Sequence, residues 1–371
     1  MLLNLAIKNL LGARLRTWLN VFVTSVSFFM IIFMSAMYDG MREHALQVSI
    51  DTEVAGGVYW HPEYDPTDPM TFEDAHSIPP DPIMELVAQK LAVPVLVSQA
   101  SIYPNGRIVP VIMKGISPEQ TIVNMPTVAL SNDNGIGIPV MIGTSMAKDA
   151  KLELGDSFTI RWLDANRTYD ADEGTVVHIM ETENFKLDMG HIWVPLKKAE
   201  SMLEMKNEAT YVTFANSVPP LNNTGNWIYR DVHYLIRDME AMIKADEPNA
   251  AIMYIILLTL AAMGIFNAQV LSIFRRGKEI GTLMALGMTR SKVVTLFTLE
   301  GGLNAGLASI MTIIFFGPVL WYFGEYGIYM GIDYSEGQMG LIMAQRLIPV
   351  YSVGLVLTTT LIVSFIVLVV S

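Results

Sequence analysis

Residues 275–292 read Arg-Arg-Gly-Lys-Glu-Ile-Gly-Thr-Leu-Met-Ala-Leu-Gly-Met-Thr-Arg-Ser-Lys, and they stand between two apolar stretches, Ala251–Phe274 and Thr295–Phe323. Crossing about 30 Å of hydrocarbon takes roughly 20 helical residues. Each flank is therefore read as a membrane span, and the block between them as a short basic hairpin. Within it Ile280, Leu283, Met284 and Leu286 form an apolar stripe bounded by Gly281 and Gly287, with Lys278 and Arg290 near its ends and Glu279 as its one acid. A helix of this kind fits a groove on a partner protein; the plainer alternative is a connector resting on lipid headgroups.

Working outward, Trp18–Tyr38 and Leu347–Val370 are also long enough to span. The predicted order is an amphipathic cytoplasmic helix at 1–17, a first span at 18–38, an outer domain at 39–250 and a second span at 251–274. The hairpin at 275–294, a third span at 295–323, a short outer loop at 324–346 and a fourth span at 347–371 complete it. Charge sets the orientation. Lys8, Arg14 and Arg16 precede the first span without an acid, and the hairpin carries five bases. Excess Lys and Arg marks the cytoplasmic side. The interval 39–250 holds 31 Asp and Glu against 15 Lys and Arg, so the acidity of the chain lies in the outer domain. An acidic outer surface argues against nucleic acid, which attracts basic ones. The absence of cysteine excludes disulfides and thiolate metal sites.

In the outer domain, Gly57–Trp60, Val93–Ala100, Arg107–Ile116, Val140–Ile142, Ser157–Trp162, Gly174–Met180 and Gly190–Val194 read as strands. Ser145–Leu152 and Leu196–Met205 read as helices, and 61–82, with six prolines, as an irregular loop. The mixture predicts an α/β or α+β domain. Asp231–Asp246 reads as a helix continuing into the second span as one stiff rod.

Catalytic signatures are missing. The sequence has no phosphate-binding Gly-x-x-x-x-Gly-Lys-Ser/Thr loop, no His-Glu-x-x-His and no Gly-x-Ser-x-Gly. His178 and His191 flank Glu181, Glu183 and Asp188, the one cluster with metal-ligand chemistry, but six histidines in an acidic chain reach such a spacing by chance; no metal and no catalytic residue is assigned. Small residues recur at helical spacing in the third span (Gly302 and Gly306, Ala305 and Ser309) and in the second (Ala261, Gly264 and Ala268). Such stripes admit close helix contact, either between copies or inside one bundle. Glu300 is a carboxylate at the boundary of a span, where an ionisable group is a functional candidate by default. It is read either as a transport-coupling group or as a partner of the basic hairpin or the headgroups.

The run 275–290, with Phe297 and Glu300-Gly301 after it, resembles the signature of FtsX-like permeases, the MacB/LolC-type (type VII) membrane subunits of ABC transporters. Asn9–Thr17 is similar to the family's approach to its first helix. Val140–Ala147, Leu154-Gly155-Asp156 and Ile192–Leu196 resemble its MacB-like periplasmic core domain. The resemblance implies a four-span membrane protein of the bacterial inner membrane, with cytoplasmic termini and a periplasmic core domain between the first two spans. It implies a dimer with a second permease copy or paralogue, and two copies of a cytoplasmic ABC ATPase that alone binds ATP and magnesium. The hairpin then becomes the coupling helix, and closure of the spans moves the outer domains by mechanotransmission. Lipoprotein release of the LolC/LolE kind is the leading expectation, with a periplasmic chaperone or adaptor and membrane lipid as further partners. MacB-like export of peptides, toxins or antibiotics and FtsX-like activation of a cell-wall hydrolase are the alternatives. One departure is that the family continues past its last span into a basic tail, whereas this sequence stops at Ser371.

Overall fold

The structure, a computed structural model, describes residues 6, 15–131, 137–329 and 346–370. Most of the expected amphipathic helix at 1–17 and most of the loop at 324–346 fall outside the described residues. The chain divides into two compact units. One comprises Met1–Glu43, Met242–Gly331 and Ala344–Ser371, and the other His44–Ala241 with Ile332–Met343.

Helix α1 (Leu15–Ser49) is 35 residues long and is followed by a π-helical turn at Ile50–Val54. It runs well past Tyr38, through Gly40, because the stretch that follows is rich in good helix formers and contains no proline.

The second unit is built on a nine-stranded sheet. Its strands are β1 (Val58–Trp60), β2 (Ala92–Tyr103), β3 (Val109–Ile116), β4 (Ile138–Gly143), β5 (Ser157–Leu163), β6 (Tyr169–Met180), β7 (His191–Pro195), β8 (Tyr211–Phe214) and β9 (Ile228–Arg230). The hydrogen-bonded order is β3-β7-β4-β6-β5-β2-β8-β1-β9, and β3 also pairs with β2. Six strands thus close on themselves, and β8, β1 and β9 extend from β2. The β3–β7 and β4–β6 pairs are parallel and the others antiparallel.

Alternation explains the packing, since successive side chains of a strand point to opposite faces. On β4, Ile138, Val140 and Ile142 join one apolar cluster and Met141 the other; on β7, Ile192 and Val194 face one way and Trp193 the other. Both faces are covered, so these strands read as unbroken apolar runs rather than alternating ones. Helices α2 (Asp81–Ala88), α3 (Thr144–Ala150), α4 (Phe185–Asp188) and α5 (Leu196–Leu203) supply much of the cover. Gly115 on β3 is required by this packing: a Cβ there would stand 2.5 Å from the Cβ of Ala199 on α5.

Helix α6 (Val232–Arg275) is continuous over 44 residues and passes through Pro248. After it come α7 (Gly277–Ala285) and α8 (Arg290–Met311), a π-helical turn at Thr312–Phe316, α9 (Gly317–Tyr326) and α10 (Val353–Val370). Among the described residues three helical stretches are long and apolar enough to cross a membrane: Thr17–Val54, Val232–Arg275 and Arg290–Tyr326. Val353–Val369 is a shorter apolar helix. The first unit has its own core, in which Val21, Phe28 and Ile31 meet Ala261 and Ile265, Ala305 and Ala308, and Val363 and Val367. All four apolar helices contribute to it.

Candidate functional site: the basic hairpin and its anchor

Arg276 breaks the helix after α6. Its φ of −99° and ψ of 8° are outside the helical range, and its N–H bonds the Ile273 carbonyl at 3.0 Å. Nine residues of α7 follow, about 14 Å of helix at 1.5 Å per residue. The helix stops at a Schellman motif, in which Gly287 N–H donates to Met284 O and Met288 N–H to Leu283 O, both at 3.1 Å. Gly287 sits at φ +91°, a conformation costly for any residue with a Cβ. Thr289 caps the start of α8 in extended geometry.

The hairpin is fastened at its base by one side chain. The Arg276 guanidinium is buried, with 6% of the residue exposed. Nε donates to Glu279 Oε2 at 2.7 Å, Nη1 donates to Glu300 Oε2, and the guanidinium lies 5.0 Å from the centre of the Phe297 ring. One arginine therefore joins the break after α6, the first turn of α7 and the second and third turns of α8. The structure brings Glu300 to Arg276 at the base of the hairpin. Arg276 is also the residue that sequence reading missed. It adjoins Arg275 in a doublet, and nothing in the letters separates the buried member from the exposed one.

The outward surface of the hairpin is open. No residue of α7 is buried. Lys278, Glu279, Gly281, Met284, Leu286, Gly287 and Arg290 are exposed, and Ile280 and Leu283 are half-buried. Met284 is 42% and Leu286 80% exposed. The apolar stripe thus divides, with Ile280 and Leu283 turned partly inward and Met284 and Leu286 presented outward beside the bases.

The small residues of the spans also part company. Gly302 packs on the fourth helix, where its Cβ position is 3.1 Å from Leu368 Cδ2. Ala305 and Ala308 are buried in the bundle core. Gly264 and Gly306 face open space, with no atom within 4 Å of a Cβ built there. The side chain of Ala268 lies outside the described residues. Deeper in the bundle Thr312 Oγ1 is 3.1 Å from Ser25 Oγ and donates to Ser25 O at 3.2 Å, a buried polar tie between α1 and the third span. It falls at the start of the π-helical turn before Pro318, whose missing N–H disrupts regular α-helical bonding.

The acidic and histidine residues of the second unit do not converge. His191 Nδ1 meets Met189 O at 2.9 Å, Glu183 pairs with His44, and Asp188 accepts from Ser145. Among the described residues no group of three His, Asp or Glu side chains is placed to hold a metal ion.

Residues 251–371 match the family model described as FtsX-like permease C-terminal. The C-terminal third of this chain is thus similar to the C-terminal region of FtsX-like permeases. The hairpin, its Arg276 anchor and Glu300 all lie inside the matched region, as do Gly264, Gly302 and Gly306. Among the solved structures that match is the extracellular domain of the noncanonic ABC-type transporter YknZ from Gram-positive bacteria. It is 14% identical with a TM-score of 0.29, covering 50% of this chain and 94% of that one. A search of curated proteins gives no match.

Proposed function

We propose that this chain is the non-catalytic permease subunit of an ATP-driven ABC transporter and that α7 is the helix its ATPase grips. What supports the reading is an exposed basic and apolar hairpin in the region similar to FtsX-like permeases, locked at its base by the Arg276–Glu300 pair. An exposed apolar side chain such as Leu286, on a hairpin whose sequence carries several bases, suits insertion into a groove of a cytoplasmic protein. The lock makes the insertion useful, because a hairpin hinged at its base would absorb displacement instead of passing it to the third span.

In this reading the four apolar helices all span, with the hairpin and the termini in the cytoplasm and the acidic unit outside, in a bacterial inner membrane. Two copies, or one copy and a paralogue, stand over two ATPase subunits, which alone bind ATP and magnesium. Gly264 and Gly306, open in the single chain, are the positions that fit close approach of the second copy. Nucleotide-driven closure of the helices moves the outer units, and the cargo is a lipoprotein released from the membrane. The test is co-purification with the ATPase and ATP turnover for Met284→Asp/Leu286→Asp. Both should be lost in that variant with the chain still folded; retained turnover defeats the assignment of α7. The cargo is tested with the purified complex in vesicles holding a triacylated lipoprotein, where ATP should drive release and a peptide cargo should stay untouched.

A further inference from the structure

The two helices that run from the first unit into the second enter it in different ways. Helix α6 begins at Val232 behind Asp231, whose carboxylate accepts from Tyr234 N–H at 2.8 Å. The Arg230 guanidinium beside it stacks 4.2 Å from the Tyr234 ring and 5.3 Å from that of Trp60. Beyond Ile236 the shaft is largely exposed up to Asn249 and contains Pro248. That end is held by the guanidinium over two rings and is followed by a largely exposed helix segment with one missing N–H.

The far end of α1 is bound much more closely. Its last turns and the π-helical turn after them are tied by several polar links, among them these. His44 pairs with Glu183, Asn184 Nδ2 donates to Thr52 Oγ1 at 2.9 Å, Asn124 N–H donates to Asp51 O at 2.7 Å, and Lys114 Nζ donates to Glu53 Oε1 at 3.3 Å. The last link is unusual. Lys114 is 4% exposed, on β3, and its ammonium lies 5.0 Å from the Trp193 ring centre and 5.9 Å from that of Tyr211. A buried lysine is tolerated only when paired. Here the pair is made with a residue of the helix turn, in a box of aromatic faces that strengthens a cation's hold.

The same junction is strained. Ala55 follows the π-turn at φ 47° and ψ −123°, where a side chain crowds its own backbone, and with 4% exposure it has no room to relax. The next residue, Gly56, is pinned by its N–H to Phe214 O at 2.8 Å, and a Cβ there would stand 2.6 Å from Ala215 O. In the aromatic box the Trp193 indole N–H is buried and has no hydrogen-bond partner among the described residues. Strained residues concentrate at switch regions and ligand sites, and a buried orphan donor in the same junction calls for an explanation.

We propose that Lys114 is a positioning residue and that its pair with Glu53 is the latch by which displacement of α1 is delivered to the sheet at β3. The strained turn at 50–55 is the element that switches. This rests on the permease reading above and adds to it that α1 drives the outer unit while α6, with Pro248, complies. In the second arrangement Ala55 leaves its strained conformation and the Trp193 N–H gains a partner.

Hydrogen exchange on the complex co-purified from native membranes tests this, with nucleotide absent or with ATP, magnesium and vanadate present. In the unmodified complex, amides at 50–57 and 109–116 should change protection together by about tenfold, within the usual range of coupling between sites. In Lys114→Met/Glu53→Gln, which removes both charges and so leaves no buried ion alone, ATP hydrolysis should continue while 109–116 stops responding. Lys114→Arg should restore the response, which a purely structural role would not require. An unaltered response in the double variant overturns the latch and leaves the permease reading standing. A complex that hydrolyses no ATP defeats the permease reading instead. The latch is then judged on the full chain alone in detergent, where Ala55→Gly should shift exchange at 50–57 severalfold; unchanged exchange there refutes it.

Discussion

Removing either partner of the Arg276–Glu300 pair should destabilise the chain by unequal amounts, and the inequality follows from the geometry. The side chains of Arg276 and Glu300 are 7% and 11% exposed, whereas Glu279 is 60% exposed. Taking one member from a buried ion pair typically costs about 3–5 kcal/mol, because a desolvated charge is left behind. Arg276→Met strips the cation from Glu300 and should cost the full amount, about 4 kcal/mol. Glu300→Met leaves Arg276 its bond to Glu279, so the loss should be about half, near 2 kcal/mol. Glu279→Gln removes only a solvated partner and should cost under about 1 kcal/mol. The double variant Arg276→Met/Glu300→Met leaves no buried charge and should recover most of the loss, since apolar replacement of a buried pair is often close to neutral. The assay is unfolding of the full chain in mixed detergent micelles, read as a double-mutant cycle. Equal costs for Arg276→Met and Glu279→Gln, or a coupling energy below about 0.5 kcal/mol, would refute the idea that Arg276 clamps the hairpin.

Three further outcomes follow from other parts of the molecule. Gly287→Ala should lose about 1 kcal/mol and loosen the hairpin in hydrogen exchange, since alanine is disfavoured at φ +91°; an unchanged midpoint would show that the Schellman turn is not needed. Thr312→Val should cost only about 0.6 kcal/mol in micelles, the average for a hydroxyl tie between spans, and a loss above about 2 would show that the tie to Ser25 does more than pack the bundle. The third concerns acid. Burial, with the Lys114 ammonium nearby, pushes the His191 imidazole down to about 4 from an ordinary value of 6.5. Between those values the unfolded chain takes up a proton that the folded chain refuses. The contribution is therefore fully present above about pH 6.5 and is lost as pH falls toward 4. His191→Asn should flatten that part of the stability profile, and an identical slope in the variant would contradict the burial of a neutral imidazole.

Much of the fold could be read from the letters because it rests on hydropathy. The two-faced strands β2, β4 and β7 stand out as apolar runs, and Leu154-Gly155-Asp156 marks the turn between α3 and β5. What escaped was held by the backbone. The Tyr169–Glu173 half of β6 is acidic and exposed, and it is a strand because it pairs with β5 from Leu163 opposite Tyr169 to Thr159 opposite Glu173. Strands β8 and β9 and the helix at Asp81–Ala88 were missed because four, three and eight residues carry too few periods to be seen. The hairpin was plain from its charge and its flanks, but its anchor was not. Arg276 differs from Arg275 only in the helix break at its own φ and ψ, which brings its side chain to Glu300, 24 positions away in sequence. Likewise the outward stripe could be listed from periodicity, yet its division into inward Ile280 and Leu283 and outward Met284 and Leu286 depends on how α7 rolls over its base.

The central claim, that the outward side of α7 is where a cytoplasmic ATPase takes hold, has a direct measurement because the chain contains no cysteine. Single cysteines at Leu286, which is exposed, and at Gly264, which is half-buried with open space at its Cβ position, are introduced and treated with a short cross-linker in native membranes. The account predicts that Leu286→Cys is captured on an ATPase subunit, more strongly or weakly according to nucleotide, and that Gly264→Cys yields no ATPase product. Capture of the ATPase through Gly264→Cys but not through Leu286→Cys would contradict it.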